Sequence, residues 1–292
     1  MVGVSASDST VADLIELTKP RIVLMVMLSV AAGFWMASPS TLYGLLLFHA
    51  LLGTALVAAG TNALNQVAER DLDALMRRTR YRPLPAGRLD VATAAIVAWL
   101  CGIGGVVYLA VTVNPVVATL AAATLVSYVF GYTPLKRRSN VATLVGAIPG
   151  ALPIVGGWAA ASGGLAFQAW ALFGILFLWQ LPHFLALGWL YREDYARADL
   201  KTLSTNDSDG RMTFRYASLY AAALLPVSLV PTLIGITGGV YFLGAALLSS
   251  SLLYVSGRAA RNTTKSNARR LFTSSLAYLP LLLVLMVLNR VA

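Results

Sequence analysis

The chain has 292 residues, 58% of them apolar and only 12% charged, against about 25% charged in an ordinary soluble domain. With a mean hydropathy of +0.73, too little polar surface is left to coat a water-soluble globule. One cysteine, Cys101, excludes an internal disulfide, and two histidines, His49 and His183, argue against a structural zinc site. The net charge of +10 reads as the basic bias of membrane-protein loops and not as a nucleic-acid surface, because no basic soluble face remains once the spans are removed.

Residues 1–18 are polar and mildly acidic, with no basic n-region and no small-residue cleavage site after the first apolar run, so no cleaved signal peptide is expected. A bilayer core needs about 20 apolar residues per helix. Such stretches run over 21–38, 42–64, 91–111, 115–133, 141–161, 167–190, 214–235, 239–257 and 271–289. The expected fold is all-α: a polytopic membrane bundle of about nine transmembrane helices around a central cavity, forming one domain over 1–292. Prolines inside several spans, Pro149, Pro153, Pro182, Pro226, Pro231 and Pro280, are tolerable where neighbouring helices satisfy the freed backbone groups.

All but one of the 22 Lys and Arg residues fall in the N-terminal segment and alternate loops; Arg290 is the exception. The intervening connections carry no charge. The positive-inside rule then places the N-terminus and the long loops in the cytoplasm of a bacterial-type membrane. All 12 acids share that face, most of them in the loops 65–90 and 191–213, after the second and sixth spans. Topogenesis does not account for that clustering, because acids contribute little to it.

The segment from Asn62 to Asp73 continues the second span. On a helix Asn62, Asn65, Glu69 and Asp73 share one face. They form a stripe of hard oxygen donors of the kind that suits Mg²⁺ shared with substrate phosphates. Arg77, Arg78, Arg80 and Arg82 follow, and guanidinium groups bind phosphate bidentately. The plainer alternative is a solvated loop with internal salt bridges, but polar residues entering a span point to function. His183 follows Pro182 in the sixth span, 11 residues before Asp194, or about 16 Å along a helix. It is a candidate metal ligand or proton shuttle, or else a kink residue bonding a freed carbonyl. His49 has no polar company and reads as structural. The aromatics Trp158, Trp170, Phe173, Phe177, Trp179, Phe184 and Trp189 suit packing or an interfacial belt, and could line a cavity where they meet a cation.

At these residues the sequence resembles the UbiA superfamily of intramembrane prenyltransferases. The family's first signature, N-D-x-x-D-x-x-x-D, appears as Asn65-Gln66-x-x-Glu69-x-x-x-Asp73, followed by Arg78-Thr79-x-x-Arg82-Pro83-Leu84. Gln66 and Glu69 depart from the quinone-pathway pattern and match the heme-farnesylating branch. Thr18-Lys19-Pro20-Arg21, Tyr132-Thr133-Pro134-Leu135-Lys136-Arg137, Gly146 to Pro153, Trp179-Gln180-x-Pro182-His183-Phe184 and Tyr191-x-x-Asp194-Tyr195 are similar to that branch as well. Asp199-Leu200-Lys201 departs from it toward the quinone pattern.

The resemblance implies farnesyl diphosphate as donor, heme B as acceptor (a substrate, not a cofactor) and heme O as product. It implies Mg²⁺ bound with the diphosphate, and a downstream heme A synthase as a partner in building heme-copper oxidases. It assigns Asn65, Glu69 and Asp73 to one metal with Asn62 in support, Asp194 or Asp199 to a second, and Arg78, Arg82, Tyr132 and Lys136 to the diphosphate, and it makes heme iron the metal that His183 would ligate. A quinone-precursor prenyltransferase is the alternative enzyme. A transporter is the alternative class, disfavoured because the acids sit at the rim and not at mid-span.

Overall fold

In the computed structural model, residues 6–38 and 44–291 are described, with side chains described from Thr10 onward. Among them are nine helices long and apolar enough to span a bilayer. The chain opens with α1 (Ala6–Thr18), then α2 (Pro20–Ala37), α3 (Gly44–Ala68) and a short α4 (Arg70–Leu75). After the first long loop come α5 (Val91–Thr112) and α6 (Pro115–Val126). α6 passes through a π-helical turn, Ser127–Tyr132, into α7 (Thr133–Leu135). Next are α8 (Ala142–Ser162), α9 (Phe167–Leu190) and two short helices of the second long loop, α10 (Arg192–Arg197) and α11 (Leu203–Asn206). α12 (Arg211–Leu233), α13 (Gly239–Arg261) and α14 (Lys265–Leu288) complete the bundle.

Sequence neighbours pack side by side, and α14 returns to α2, closing a ring; α8 and α9 lie deepest, with more than half of their spanning residues buried. The expected spans all form, with ends that differ in instructive ways. α14 begins at Lys265, six residues before the apolar run, and carries Arg269 and Arg270. A helix can continue past the hydrocarbon boundary at no cost to its backbone bonds, so apolarity marks the membrane and not the helix end. The N-terminal segment, read above as merely polar, is helical from Ala6. Leu17 is buried, the Leu17 carbonyl accepts from Gln66 Nε2 at 2.6 Å, and Arg88 pairs with Asp13 and Glu16 at 3.0 and 2.8 Å.

Two local devices shape the region that matters. At the α1–α2 junction, Lys19 precedes a proline, a position where the right-handed helical region is disfavoured. It adopts φ 54°, ψ 65°, a left-handed conformation that costs a non-glycine residue about 1–2 kcal/mol, and Pro20 starts α2. At the end of the fourth span, Pro134 has no N–H for the helical ladder. The Thr133 N–H bonds Tyr128 O in the wider π pattern, and the Thr133 hydroxyl donates to the same carbonyl at 2.9 Å. Such π turns re-aim the residues around them, here Tyr132 and Lys136. Gly146 on α8 makes room, because a Cβ there would lie 2.6 Å from the Tyr132 ring.

Candidate active site

The stripe expected from the sequence is present. Glu69 itself leaves helical geometry (φ −102°, ψ 10°), but i to i−4 bonds on either side of it, Glu69 N to Asn65 O at 2.9 Å and Asp73 N to Glu69 O at 2.8 Å, carry the stripe across the α3–α4 joint. Asn62, Asn65, Glu69 and Asp73 are all buried. Gln66 is buried too, but it clamps α1 through Leu17 O and stands apart from the stripe.

Cations from three other segments converge on this stripe. Arg82 Nη1 donates to Asp73 Oδ2 at 2.7 Å, and Thr79 Oγ1 donates to the Asp73 carbonyl at 2.9 Å. Lys136 Nζ donates to Glu69 Oε1 at 2.7 Å and lies 4.4 Å from the centre of the Tyr132 ring. Burial works against the Lys136 ammonium, yet Glu69 and the Tyr128 hydroxyl outweigh it and hold its pKa above the usual lysine value. Asn65 sits at the centre, donating through Nδ2 to Thr133 Oγ1 at 3.2 Å and accepting through Oδ1 from Lys19 Nζ at 3.2 Å.

Lys19 is the member that sequence reasoning missed. Its motif with Pro20 was noted, but its left-handed turn, which aims the ammonium at Asn65, was not readable. Burial first, then repulsion from Arg82 and Lys136, brings its pKa down to about 7, with Glu69 and Asp73 opposing. Three basic side chains thus face two carboxylates, with Lys19 poised to be fully charged once an anionic ligand joins them. Lys19→Met is expected to raise the KM for a diphosphate substrate about 10- to 100-fold, the equivalent of one lost charge-assisted hydrogen bond. Initial-rate kinetics over a substrate range would show it, and an unchanged KM would remove Lys19 from the site.

The second acidic loop joins the first across the rim. Asp194, on α10, is buried and accepts from the Arg77 backbone N–H at 3.1 Å and from Arg197 Nη1. Leu72 and Met76 of the first loop pack with Tyr195, Ala198 and Leu200 of the second, and Lys201 N donates to Lys136 O at 2.9 Å. Asp199, the other acid considered for the second position, stands apart from this packing. Its side chain is 86% exposed at a left-handed turn (φ 49°) and pairs with Lys201 at 2.7 Å, which holds its pKa below the ordinary value. The expected contrast is loss of turnover in Asp194→Ala and unchanged turnover in Asp199→Ala, measured side by side; equal effects would reverse the assignment.

Arg78 lies at the surface with its guanidinium 4.9 Å from the centre of the Tyr191 ring, where it bridges the two loops outside the buried cluster. Asp71 is exposed and pairs with Arg70 at 3.0 Å. His183 is in the last third of α9, and the chain turns at Tyr191 before α10, so no single helix axis connects it to Asp194. Its ring bonds the Ser275 hydroxyl at 2.9 Å and, among the described residues, no freed carbonyl. His49 bonds Tyr108 Oη at 2.6 Å between α3 and α5, an interhelical contact in keeping with a structural role.

A helical membrane bundle with a buried acid–base cluster at one rim, above an apolar interior, defines a membrane enzyme that handles an amphiphile with an anionic head. The model of the UbiA prenyltransferase family matches residues 26–282, and the chain belongs to that family. Among similar proteins is a protoheme IX farnesyltransferase of Solibacter usitatus, 47% identical and covering 95% of this chain and 98% of the relative. Another, from Salinibacter ruber, is 44% identical with the same coverage. A solved digeranylgeranylglyceryl phosphate synthase superposes with a TM-score of 0.80 at 15% identity, covering 96% of this chain and 98% of the other. A UbiA homolog from Archaeoglobus fulgidus bound to GPP and Mg²⁺ superposes at 0.64 with 15% identity, covering 94% and 99%.

Proposed function

We propose that the protein transfers the farnesyl group of farnesyl diphosphate to a vinyl group of heme B, giving heme O, on the cytoplasmic side of the membrane. The carrying observation is the cluster of buried Asn65, Glu69, Asp73 and Asp194 with half-buried Lys19, Arg82 and Lys136, a set of opposed charges at the mouth of an apolar bundle. The relatives' names supply the substrates.

The chemistry follows from the charges. The C1–O bond of the donor breaks with its electron pair passing to the diphosphate. Lys19, Arg82 and Lys136 stabilise the negative charge that gathers there, and Tyr132 lies against Lys136. The vinyl π pair forms the new bond to C1. Water adds to the resulting cation and releases a proton, leaving a hydroxyethylfarnesyl substituent. The hard oxygens of Asn65, Glu69, Asp73 and Asp194 fit Mg²⁺, since each ion pair uses one carboxylate oxygen and leaves the other. Among the described residues no three His, Cys, Asp or Glu side chains form a ready metal cage, which suits an ion held jointly with substrate oxygens. Bound there, the ion would supply further positive charge for the leaving group.

The test is to incubate the purified protein with farnesyl diphosphate and either heme B or an aromatic quinone precursor, then separate the products by chromatography. A farnesylated heme is expected. A prenylated quinone precursor in its place would move the protein to the other branch.

A further inference from the structure

His183 belongs to an assembly of its own between α9 and α14. Trp179, one turn before it, stacks on the imidazole at 5.5 Å between ring centres, and Phe272 of α14 stacks on it at 4.8 Å. Trp179 Nε1 donates to Ser275 O at 2.7 Å, so the same α14 residue is gripped twice. Two stacked aromatic rings and one hydrogen bond thus orient the imidazole.

The hydrogen bonds also determine where its proton sits. Ser275 Oγ is 2.7 Å from the Phe272 carbonyl oxygen and 2.9 Å from His183 Nδ1. A carbonyl only accepts, so the single hydroxyl proton must point to Phe272 O. Ser275 Oγ therefore accepts from His183, and Nδ1 carries the hydrogen. In the neutral ring Nε2 is then the bare nitrogen. Nε2 has no partner among the described residues, and it is absent from the polar atoms sealed inside without one. An imidazole held by Nδ1–H on a fixed acceptor, with Nε2 free and accessible, is the arrangement in which histidine ligates a metal.

The geometry points to His183 Nε2 as the axial ligand of the iron in the porphyrin acceptor, with Ser275 as its positioning residue. This rests on the heme-farnesylating reading above and says where the acceptor sits. His183 is seven residues from the end of α9 at Leu190, about 10 Å below the charged rim. An iron at that depth would lie on the bilayer side of the charged rim, within reach of a macrocycle whose edge approaches the diphosphate cluster. Phe184, at 5.7 Å from the imidazole, and Phe272 supply apolar surface for the macrocycle beside the ligand.

The chain contains only two histidines, which makes the test clean. Heme B is added to the purified full-length protein in detergent, and resonance Raman spectra of the ferrous complex are searched for the iron–imidazole stretch. The band is expected in the wild type and in His49→Ala, and expected to vanish in His183→Ala and return when imidazole is added to the buffer. Ser275→Ala should keep the band but shift it to lower frequency, since a ring without its hydrogen-bond acceptor is a weaker donor to iron. His183→Met, which fills the space and offers a thioether, should replace the band with a methionine-ligated spectrum at a higher midpoint potential. Persistence of the iron–imidazole band in His183→Ala or His183→Met would overturn the assignment. So would a wild type that farnesylates heme without showing the band, and in that case the proposed activity stands. A wild type that neither binds nor modifies heme would overturn both.

Discussion

Asp73→Asn is expected to slow prenyl transfer by about 100- to 1000-fold, the scale on which a single electrostatic group at the reacting centre contributes. Asp73 is 1% exposed and holds Arg82 at 2.7 Å while its backbone carbonyl holds Thr79. It thus anchors both the hard-oxygen stripe and the start of the basic loop. The amide keeps the shape and can still accept from Arg82, so the bundle should form. The stability loss should be about 1–3 kcal/mol, from weakening one bond between charged groups in a half-screened place. Consumption of farnesyl diphosphate by purified protein, followed beside its melting temperature, separates the two effects. A rate within tenfold of wild type would remove Asp73 from the diphosphate site.

Gly157→Val is expected to have the largest effect on folding. α2 and α8 cross so closely that a Cβ on Gly157 would lie 2.0 Å from Val30 O, and one on Gly33 would lie 2.0 Å from Ile154 O. The two glycines form a reciprocal contact of helix backbones, in which small residues allow the approach that packing in lipid depends on. No side-chain rotation relieves a clash with a backbone carbonyl. Overpacking a core ordinarily costs about 1–3 kcal/mol, and here the crossing itself must open. A detergent-purified Gly157→Val should melt far below wild type or fail to accumulate in the membrane. Gly156→Ala, at a position with nothing within 4 Å, is the matched control and should be neutral. Equal melting temperatures for the two would refute the close crossing.

The consequence reaches the rim. α2 begins at Pro20, immediately after Lys19, so the crossing that seats α2 on α8 also sets where the Lys19 ammonium meets Asn65. Activity is expected to fall with stability in this variant, whereas Asp73→Asn should separate the two.

The spans were legible because a bilayer imposes a length and a composition on every helix that crosses it, and the chain obeys both in order. The acidic stripe was legible because helical periodicity carries Asn62, Asn65, Glu69 and Asp73 onto one face, whatever the rest of the chain does. Lys19 was not, because its contribution comes from a single left-handed residue before a proline, and the conformation is chosen by packing. The choice between Asp194 and Asp199 was also closed to sequence. The two lie five residues apart in one loop, and only the seating of that loop on Leu72 and Met76 buries one and leaves the other in solvent. Gln66 shows the same limit from the other side, since it stands inside the first motif yet its amide serves α1.

What the sequence determined by itself is a nine-span helical protein with its charge gathered on one face and a hard-oxygen stripe where the second span reaches it. Those features follow from local periodicity and from the solvent each segment must match, neither of which depends on distant neighbours. What only the tertiary structure decided is which charges meet: Lys136 with Glu69, Arg82 with Asp73, Lys19 with Asn65, and His183 with Ser275 across 92 positions. Those pairings depend on how helices far apart in the chain cross, and close glycine contacts and proline-induced turns set those crossings.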